Sequence, residues 1–390
     1  MSGTTLTDFL SPAARTMQPS GIRRYFDYAA GRKDVISLGV GEPDFVTPKV
    51  VRDACIAAIE QGRTTYTPNA GLPELREAIA GYLDASFGLK YDPADEVLVT
   101  NGSSEAIDLA LRALISPGDE ILFPEPCFIA YSPIAALLGG VTVPIETTAD
   151  NRFKLTAESL RAKLTPRSKL LVVSYPNNPT GGIMTREDWI PIAELAIAHN
   201  LVVISDEIYA ELTFGSKHES IAELPGMRER TLLISGFSKA FAMTGWRVGY
   251  ACGPGELIAV MLKIHQYTAT CAPIIGQIAG LESLVNGLDE KDRMVESYDR
   301  RRRFFVSGLR EIGLPCHEPL GSFYAFPSIA DTGLGSDEFV TRLLDEAGVV
   351  TVPGHVFGLG GEGFIRCCYA AAQSQLEAAL ERIYSFVRTL

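Results

Sequence analysis

The sequence is poor in the patterns that announce a metal or disulfide protein. It has no C-x-x-C pair and no H-E-x-x-H. Its seven cysteines, at 55, 127, 252, 271, 316, 367 and 368, are odd in number and scattered. The five histidines, at 199, 218, 265, 317 and 355, form no ligand spacing. No metal is therefore expected, and the thiols read as core side chains in a reducing compartment. No uninterrupted apolar run approaches a membrane span, and the opening MSGTTLTDFLSPAARTMQPSG has no apolar core of signal-peptide length. A cytoplasmic location with no membrane partner is the expectation. Positive charge is short as well. Thirty-five Lys and Arg against 47 Asp and Glu give a formal net charge of −12, which argues against a nucleic-acid partner. The one basic run, Arg300-Arg301-Arg302-Arg303, follows Tyr298-Asp299 and precedes Phe304-Phe305, so it reads as the polar side of an amphipathic helix. Internal repeats and low-complexity linkers are missing too.

What is present is a chain of 390 residues with 46% hydrophobic content, enough for a large core and too long for one small module. The segment GIRRYFDYAAG (21–31) suggests a short helix, and DVISLGV (34–40) a strand. TPKVVRDACIAAIEQG (47–62) reads as a capped helix. Thr47 is the expected N-cap, Pro48 suits the first turn, Val51, Cys55, Ala58 and Ile59 share a face, and Gly62 closes it. Residues 73–88 repeat that logic. From about residue 95, apolar runs alternate with helical stretches: EVLVT, EILFP, KLLVVSY, LVVISD, TLLIS and RVGYACG. Runs of this kind separated by helices indicate an α/β core with a mostly parallel sheet. After about 285 come a charged helix, short strands (GSFYAFP, FIRCCY) and a C-terminal amphipathic helix. The expected organisation is a large domain over 48–285 and a smaller α+β domain built from 1–47 with 286–390.

Ligands of open α/β sheets sit outside the carboxyl ends of the strands. Those ends carry Gly102-Ser103-Ser104, Phe128, Asn178-Pro179-Thr180-Gly181, Asp206 with Tyr209, and Ser238-Lys239. Each also has a plainer structural use. Gly102-Ser103-Ser104 suits a helix cap as well as a phosphate site, Asn178 to Gly181 is ordinary turn chemistry, and Phe128 alone suits a core. Asp206 is less easily dismissed, because a carboxylate ending an apolar strand needs a cation or several donors.

One cofactor asks for the whole set. Pyridoxal 5'-phosphate needs a lysine for its Schiff base, a carboxylate facing its ring nitrogen, and a phosphate cup. Lys239 would supply the amine, its pKa lowered by burial and nearby cations. Asp206 would keep the ring nitrogen protonated. Arg247 would meet the phosphate with its guanidinium fork, so both cations are expected to be buried, one occupied and one paired. Phe128 would stack on the ring, while Asn178 and Tyr209 would hydrogen-bond its phenolic oxygen.

With these residues in place, the sequence resembles the class I aminotransferases of fold type I, the aspartate and aromatic aminotransferase-like group, over nearly its whole length. The resemblance is carried by GFSKAFAMTGWRVG (236–249), NPTG (178–181), SDEIY (205–209), GEPDF (41–45) and YTPNAG (66–71). It implies a homodimer in which Tyr66 reaches the cofactor phosphate of the neighbouring subunit. It also implies that Arg366, in GFIR (363–366), grips the substrate α-carboxylate with Gly41 and Asn178 beside it. The chain departs from the pattern at Gly236, where many members carry serine. One phosphate hydroxyl is thereby missing, which Ser103, Ser104 or Ser238 would have to replace. Phe128 stands where aspartate-selective members often carry tryptophan, and Ser104 where some acid-selective relatives carry lysine.

The resemblance implies transfer of an amino group from an L-amino acid to a 2-oxo acid such as 2-oxoglutarate by a ping-pong route, with Lys239 as general acid and base and Asp206 and Tyr209 supporting it. GIRRYFDYAAG, HQYTATCA and GSFYAFP are similar to aromatic and N-acetyl-diaminopimelate aminotransferases, and an aromatic or large neutral donor is favoured. Aspartate or N-acetyl-diaminopimelate transfer, or a carbon–sulfur lyase or cyclopropane-carboxylate synthase of the same fold, are the alternatives. A nicotinamide dehydrogenase is disfavoured. The G-x-G-x-x-G at 358–363 precedes a strand instead of following one.

Overall fold

A computed structural model describes residues 6–29, 32 and 34–390, so the opening MSGTT and the last two residues of the predicted 21–31 helix lie outside the described residues. In chain order the strands are β1 (Ile36–Ser37), β2 (Val97–Thr100), β3 (Glu120–Glu125), β4 (Val141–Glu146), β5 (Ser168–Ser174) and β6 (Val202–Asp206). They continue with β7 (Thr231–Gly236), β8 (Gly249–Cys252), β9 (Tyr324–Ala325), β10 (Val349–Val350), β11 (Val352–Pro353) and β12 (Ile365–Cys368). Seven of them form one sheet, in the order β2-β8-β7-β6-β5-β3-β4. All its pairings are parallel except those of β8, which runs against both β2 and β7.

This sheet is buried on both faces, which is why its strands read as unbroken apolar runs. Leu170, Val172, Ile204 and Ile234 join a layer with Ile107 and Met261 of helices Gly102–Leu114 and Gly255–Thr268. Their neighbours Leu171, Val173 and Val203 point the other way, onto Trp189 and Ile192 of helix Arg186–Ala198. The period-two alternation of side chains therefore feeds two separate cores. The second sheet is antiparallel, β11-β12-β9, and β1 pairs in parallel with β10. That pairing ties the leading segment to the last third of the chain, beside helices Ser336–Ala347 and Gln373–Val387.

Several expectations need correction. The strand β4 has no counterpart in the sequence reading. It is an edge strand that pairs only with β3, and its Pro144 suits an edge because one ladder N–H is missing there. Helix Lys49–Glu60 is preceded by Pro48 as its cap residue, not Thr47. The Thr47 hydroxyl instead donates to the Ala242 carbonyl at 2.6 Å and accepts from Trp246 Nε1 at 2.9 Å. Val51, Cys55 and Ala58 are buried as expected, but Ile59 is 54% exposed, lying off the buried stripe. The run Arg300–Arg303 is only in part the polar side of its helix, with Arg300 and Arg303 exposed. Four consecutive residues point all round a helix, so Arg302 turns inward, where Asp299 and Glu318 pair with it. Arg301 meets Asp44 at 2.7 Å and lies over the Phe45 ring.

Candidate active site

The carboxyl ends of β2, β3, β5, β6 and β7 lie on one edge of the large sheet, together with the entry to the reversed strand β8. A cavity of about 320 Å³ opens there. Its walls include Gly41, Ser103, Ser104, Phe128, Asn178, Asp206, Tyr209, Ser238, Lys239, Arg247 and Arg366, eleven of the residues singled out from the sequence. Gly102 lies directly behind Arg247. Its φ is +73°, and a Cβ there would stand 2.5 Å from the Arg247 guanidinium, so only glycine lets the two approach. Tyr66 is not brought to this cavity. It is 84% exposed and absent from the walls.

Lys239 follows β7, and its Nζ donates to the Gly41 carbonyl at 2.6 Å. Burial pushes its amine down to about 8. The Cys368 thiol and the Glu42 and Asp206 carboxylates oppose that shift, while Arg366 adds to it. Asp206 ends β6 and is 4% exposed. Burial pushes it up to about 6, although the Tyr131 hydroxyl donates to Oδ2 at 2.6 Å and the Ile208 N–H to Oδ1 at 3.2 Å. The turn that carries Tyr209 is anchored by Glu207, which accepts from Ser205 and Ser220 and meets His218 Nε2 at 2.7 Å. The Tyr209 hydroxyl lies 2.9 Å from that of Tyr324, and burial raises its pKa well above the ordinary value.

Two guanidinium groups stand without a carboxylate. Arg366, on β12, is 3% exposed; it donates to Asn178 Oδ1 at 2.9 Å and the Gly39 carbonyl at 2.6 Å, and its Nε has no partner. Arg247 was expected to be buried, and it is exposed. It lines the cavity with a φ of +56°, and its NH1 donates to the Thr244 carbonyl at 3.0 Å. Lys239 is half-buried as a residue, short of the full burial expected, although its amine lies deep. Against Arg247 stands the start of helix Gly102–Leu114, whose cap residue Asn101 makes no side-chain capping bond. The first N–H groups of a helix attract anions.

The serine that Gly236 replaces has no room here. A Cβ at 236 would meet the Gly249 Cα at 2.8 Å and the Val248 carbonyl at 3.0 Å across the antiparallel β7–β8 pair. The hydroxyls available on this side are those of Ser103, Ser104 and Ser238. Sequence reasoning also missed wall and support residues. Tyr131, Tyr324, Ile22, Val40 and Glu42 were not singled out. Tyr131 lies three residues after Phe128 and gave no signal, because a tyrosine between apolar residues reads as core.

The Aminotransferase class I and II family model matches residues 33–383. The chain is 52% identical over 382 residues to YugH of Bacillus subtilis, which is named as an aminotransferase, covering 98% of this chain and 99% of that one. It is 44% identical over 375 residues to an aspartate aminotransferase of Pyrococcus abyssi, covering 95% and 96%. The crystal structure of an aromatic aminotransferase from Pyrococcus horikoshii superposes with a TM-score of 0.90 at 41% identity, covering 94% of this chain and 99% of that one. A buried low-pKa lysine, a buried carboxylate and two uncompensated guanidiniums thus occur on a fold shared with transaminases. The chain belongs to the class I and II aminotransferase family and is a fold type I transaminase of the aspartate/aromatic type.

Proposed function

We propose that this chain is a pyridoxal 5'-phosphate-dependent aminotransferase. It takes the amino group of an L-amino acid with an aromatic or other large neutral side chain and passes it to a 2-oxo acid such as 2-oxoglutarate, in two half-reactions of a ping-pong cycle. The observation that carries this reading is the pairing, in one cavity, of the Lys239 amine held down to about 8 with the buried Asp206 carboxylate. The residues present fit the cofactor. Gly102 leaves clearance for Arg247 beside a helix N-terminus, a cradle that a Cβ would fill. The unpartnered Arg366 Nε, in a guanidinium with no carboxylate beside it, suits an anionic ligand.

Bound there, the cofactor supplies an electron sink conjugated to the substrate α-carbon. The rest is done by side chains. Ser103, Ser104, Ser238, Arg247 and the helix N–H groups would hold the phosphate. Asp206 would keep a proton on the ring nitrogen, and Phe128 would cover the ring face. Asn178 and Tyr209 would hold the phenolic oxygen. Arg366, with Gly41 and Asn178 beside it, orients the substrate by its α-carboxylate. Lys239 Nζ then takes the α-proton and returns it, a task suited to an amine titrating near the working pH.

The donor preference rests on the walls. Ile22, Val40 and Phe128 are apolar, and the lysine and both arginines already have assigned work. No wall cation among the described residues is left to pair with a distal carboxylate. Aspartate and 2-oxoglutarate alike would be held by the α-carboxylate alone, and the preference concerns the side chain of the donor. We further propose a homodimer. Tyr66 is exposed and lies off the walls of its own chain's cavity, and Tyr66 of the partner subunit would reach the phosphate. In the same reading, 48–285 forms the cofactor-binding body, and 1–47 with 286–390 forms the lobe that brings Gly41 and Arg366 to it.

The test is the visible absorbance of the purified protein, reconstituted with pyridoxal phosphate, before and after single amino acids are added without any oxo acid. Phenylalanine or tyrosine should convert the visible band while aspartate does so poorly. Efficient conversion by aspartate would leave the transaminase and overturn the donor preference. A protein that shows no visible band after reconstitution would overturn the cofactor reading.

A further inference from the structure

Tyr324 has been given no task so far, yet it touches three parts of the site at once. It lies on β9, 1% exposed, and lines the cavity. Its hydroxyl stands 2.9 Å from the Tyr209 hydroxyl. Its ring carries the Arg366 guanidinium at 4.4 Å from the centroid, within the range of a cation–π contact. Gly41 approaches so closely that a Cβ there would collide with the Tyr324 hydroxyl. The Tyr209 and Tyr324 rings meet edge to face at 5.8 Å, which fixes both against rotation.

The hydroxyl pair is the informative element. Two buried hydroxyls share one hydrogen bond, and either can donate it. Burial raises the pKa of both phenols: Tyr209 goes well above its ordinary value and Tyr324 to about 12. Neither therefore ionises at neutral pH, and only the direction of donation can change. Under the proposed function, Tyr209 must donate to an anionic phenolic oxygen. It can do so only if Tyr324 turns to donate to Tyr209. A hydroxyl that accepts one hydrogen bond is a stronger donor in the next, by about 10–30% per bond.

We propose that Tyr324 is a positioning residue that sets the donor direction and strength of Tyr209, while its ring seats Arg366, so that one side chain serves both the phenolic-oxygen and the substrate-carboxylate subsites. The inference rests on the aminotransferase reading above and deepens it. The charged and titratable groups facing this corner are Lys239, Arg366, Asp206, Glu42, Tyr209 and Cys368. A change at Tyr324 removes none of these charges and acts directly on two of the groups, Tyr209 through the shared hydrogen bond and Arg366 through the ring.

The test separates hydroxyl from ring. Wild type, Tyr324→Phe and Tyr324→Leu are reconstituted with pyridoxal phosphate, and the visible band is titrated with pH. The affinity of each protein for 3-phenylpropanoate, a carboxylate without an amino group, is measured alongside. Loss of the hydroxyl alone should raise the pKa of the band by about half a unit, roughly a threefold change in proton affinity. It should change 3-phenylpropanoate binding less than twofold, whereas Tyr324→Leu should alter both. A Tyr324→Phe titration that coincides with wild type would overturn the hydroxyl relay. Carboxylate binding unchanged in Tyr324→Leu would overturn the seating of Arg366. A wild-type protein without a visible band would overturn the aminotransferase reading itself, and this inference with it, which keeps the two failures distinguishable.

Discussion

Replacing Tyr131 with phenylalanine removes a single hydroxyl from a buried corner, and its effect should depend on pH. Tyr131 Oη donates to Asp206 Oδ2 at 2.6 Å, and both side chains are buried. Asp206, up at about 6, is ionised at pH 8 and largely neutral at pH 4.5. A hydrogen bond to a charged group is worth about 1.5–3 kcal/mol and one between neutral groups about 0.5–1.5 kcal/mol. The phenylalanine ring keeps the contacts with Phe123 and Phe128. The substitution should therefore cost about 1–1.5 kcal/mol more at pH 8 than at pH 4.5, equivalent to raising the Asp206 pKa by about one unit. The sign follows from linkage. A carboxyl raised above its ordinary 3.8 contributes stability that is full below that value and lost as pH rises through the folded value. Without Tyr131 that loss deepens, and its midpoint moves from about 6 towards about 7. Urea denaturation of the cofactor-free protein at pH 4.5, 6 and 8, wild type beside Tyr131→Phe, reads the difference directly. An equal loss at pH 4.5 and 8 would refute the claim that Tyr131 holds the Asp206 charge.

Three further outcomes are expected. Lys239→Ala should abolish transamination in a coupled assay while the melting temperature holds or rises, because a buried amine is removed without opening a hydrogen-bonded core. Gly102→Ala should leave a folded protein about 1–2 kcal/mol less stable, through a left-handed φ forced on alanine, and should weaken pyridoxal phosphate binding by displacing Arg247; equilibrium dialysis checks the second effect. Burial pushes the His317 imidazole down to about 4, against a weaker upward pull from the Thr180 backbone. As pH falls from about 6.5 to about 4 the unfolded chain takes up a proton that the fold refuses, which costs up to about 3 kcal/mol; His317→Phe should flatten that decline in acid denaturation.

The sheet was legible where the chain obeys one rule at a time. β5, β6 and β7 are buried on both faces, so their apolar runs stand out, and the polar residues that end them are conspicuous. Asp206 and Lys239 could be found for that reason. β4 was not legible, because an edge strand with half-exposed side chains and a proline has no such run. The reversed direction of β8 left no mark either, since a strand buried on both faces looks alike in both directions. Tyr131 and Tyr324 were hidden by their own chemistry. Each ring is buried as a core ring would be, while its hydroxyl, and in Tyr324 the face under Arg366 as well, belongs to the site, so burial masks the polar task. Arg302 shows the converse. Its charge suggested solvent, and only the fold brings Glu318 to meet it.

The way the site meets its cations bears on how it could work. Lys239 and Arg366 are answered by the carbonyls of Gly41 and Gly39, two residues apart on one irregular segment, and neither has a carboxylate salt bridge. A carbonyl dipole satisfies a donor but does not cancel its charge. A carboxylate in its place would have raised the lysine pKa and neutralised the arginine. Keeping two cations close with only dipoles for company costs stability, and under the proposed function it would preserve a field suited to an incoming phosphate or carboxylate. It also makes exchange cheap, because an incoming anion displaces one hydrogen bond to a carbonyl instead of breaking a buried ion pair, which costs about 3–5 kcal/mol. The segment from Gly39 to Gly41 is therefore best understood as a temporary partner for both cations. Its own anchor lies farther along, where Asp44 meets Arg301 at 2.7 Å on the long helix, outside the cavity walls.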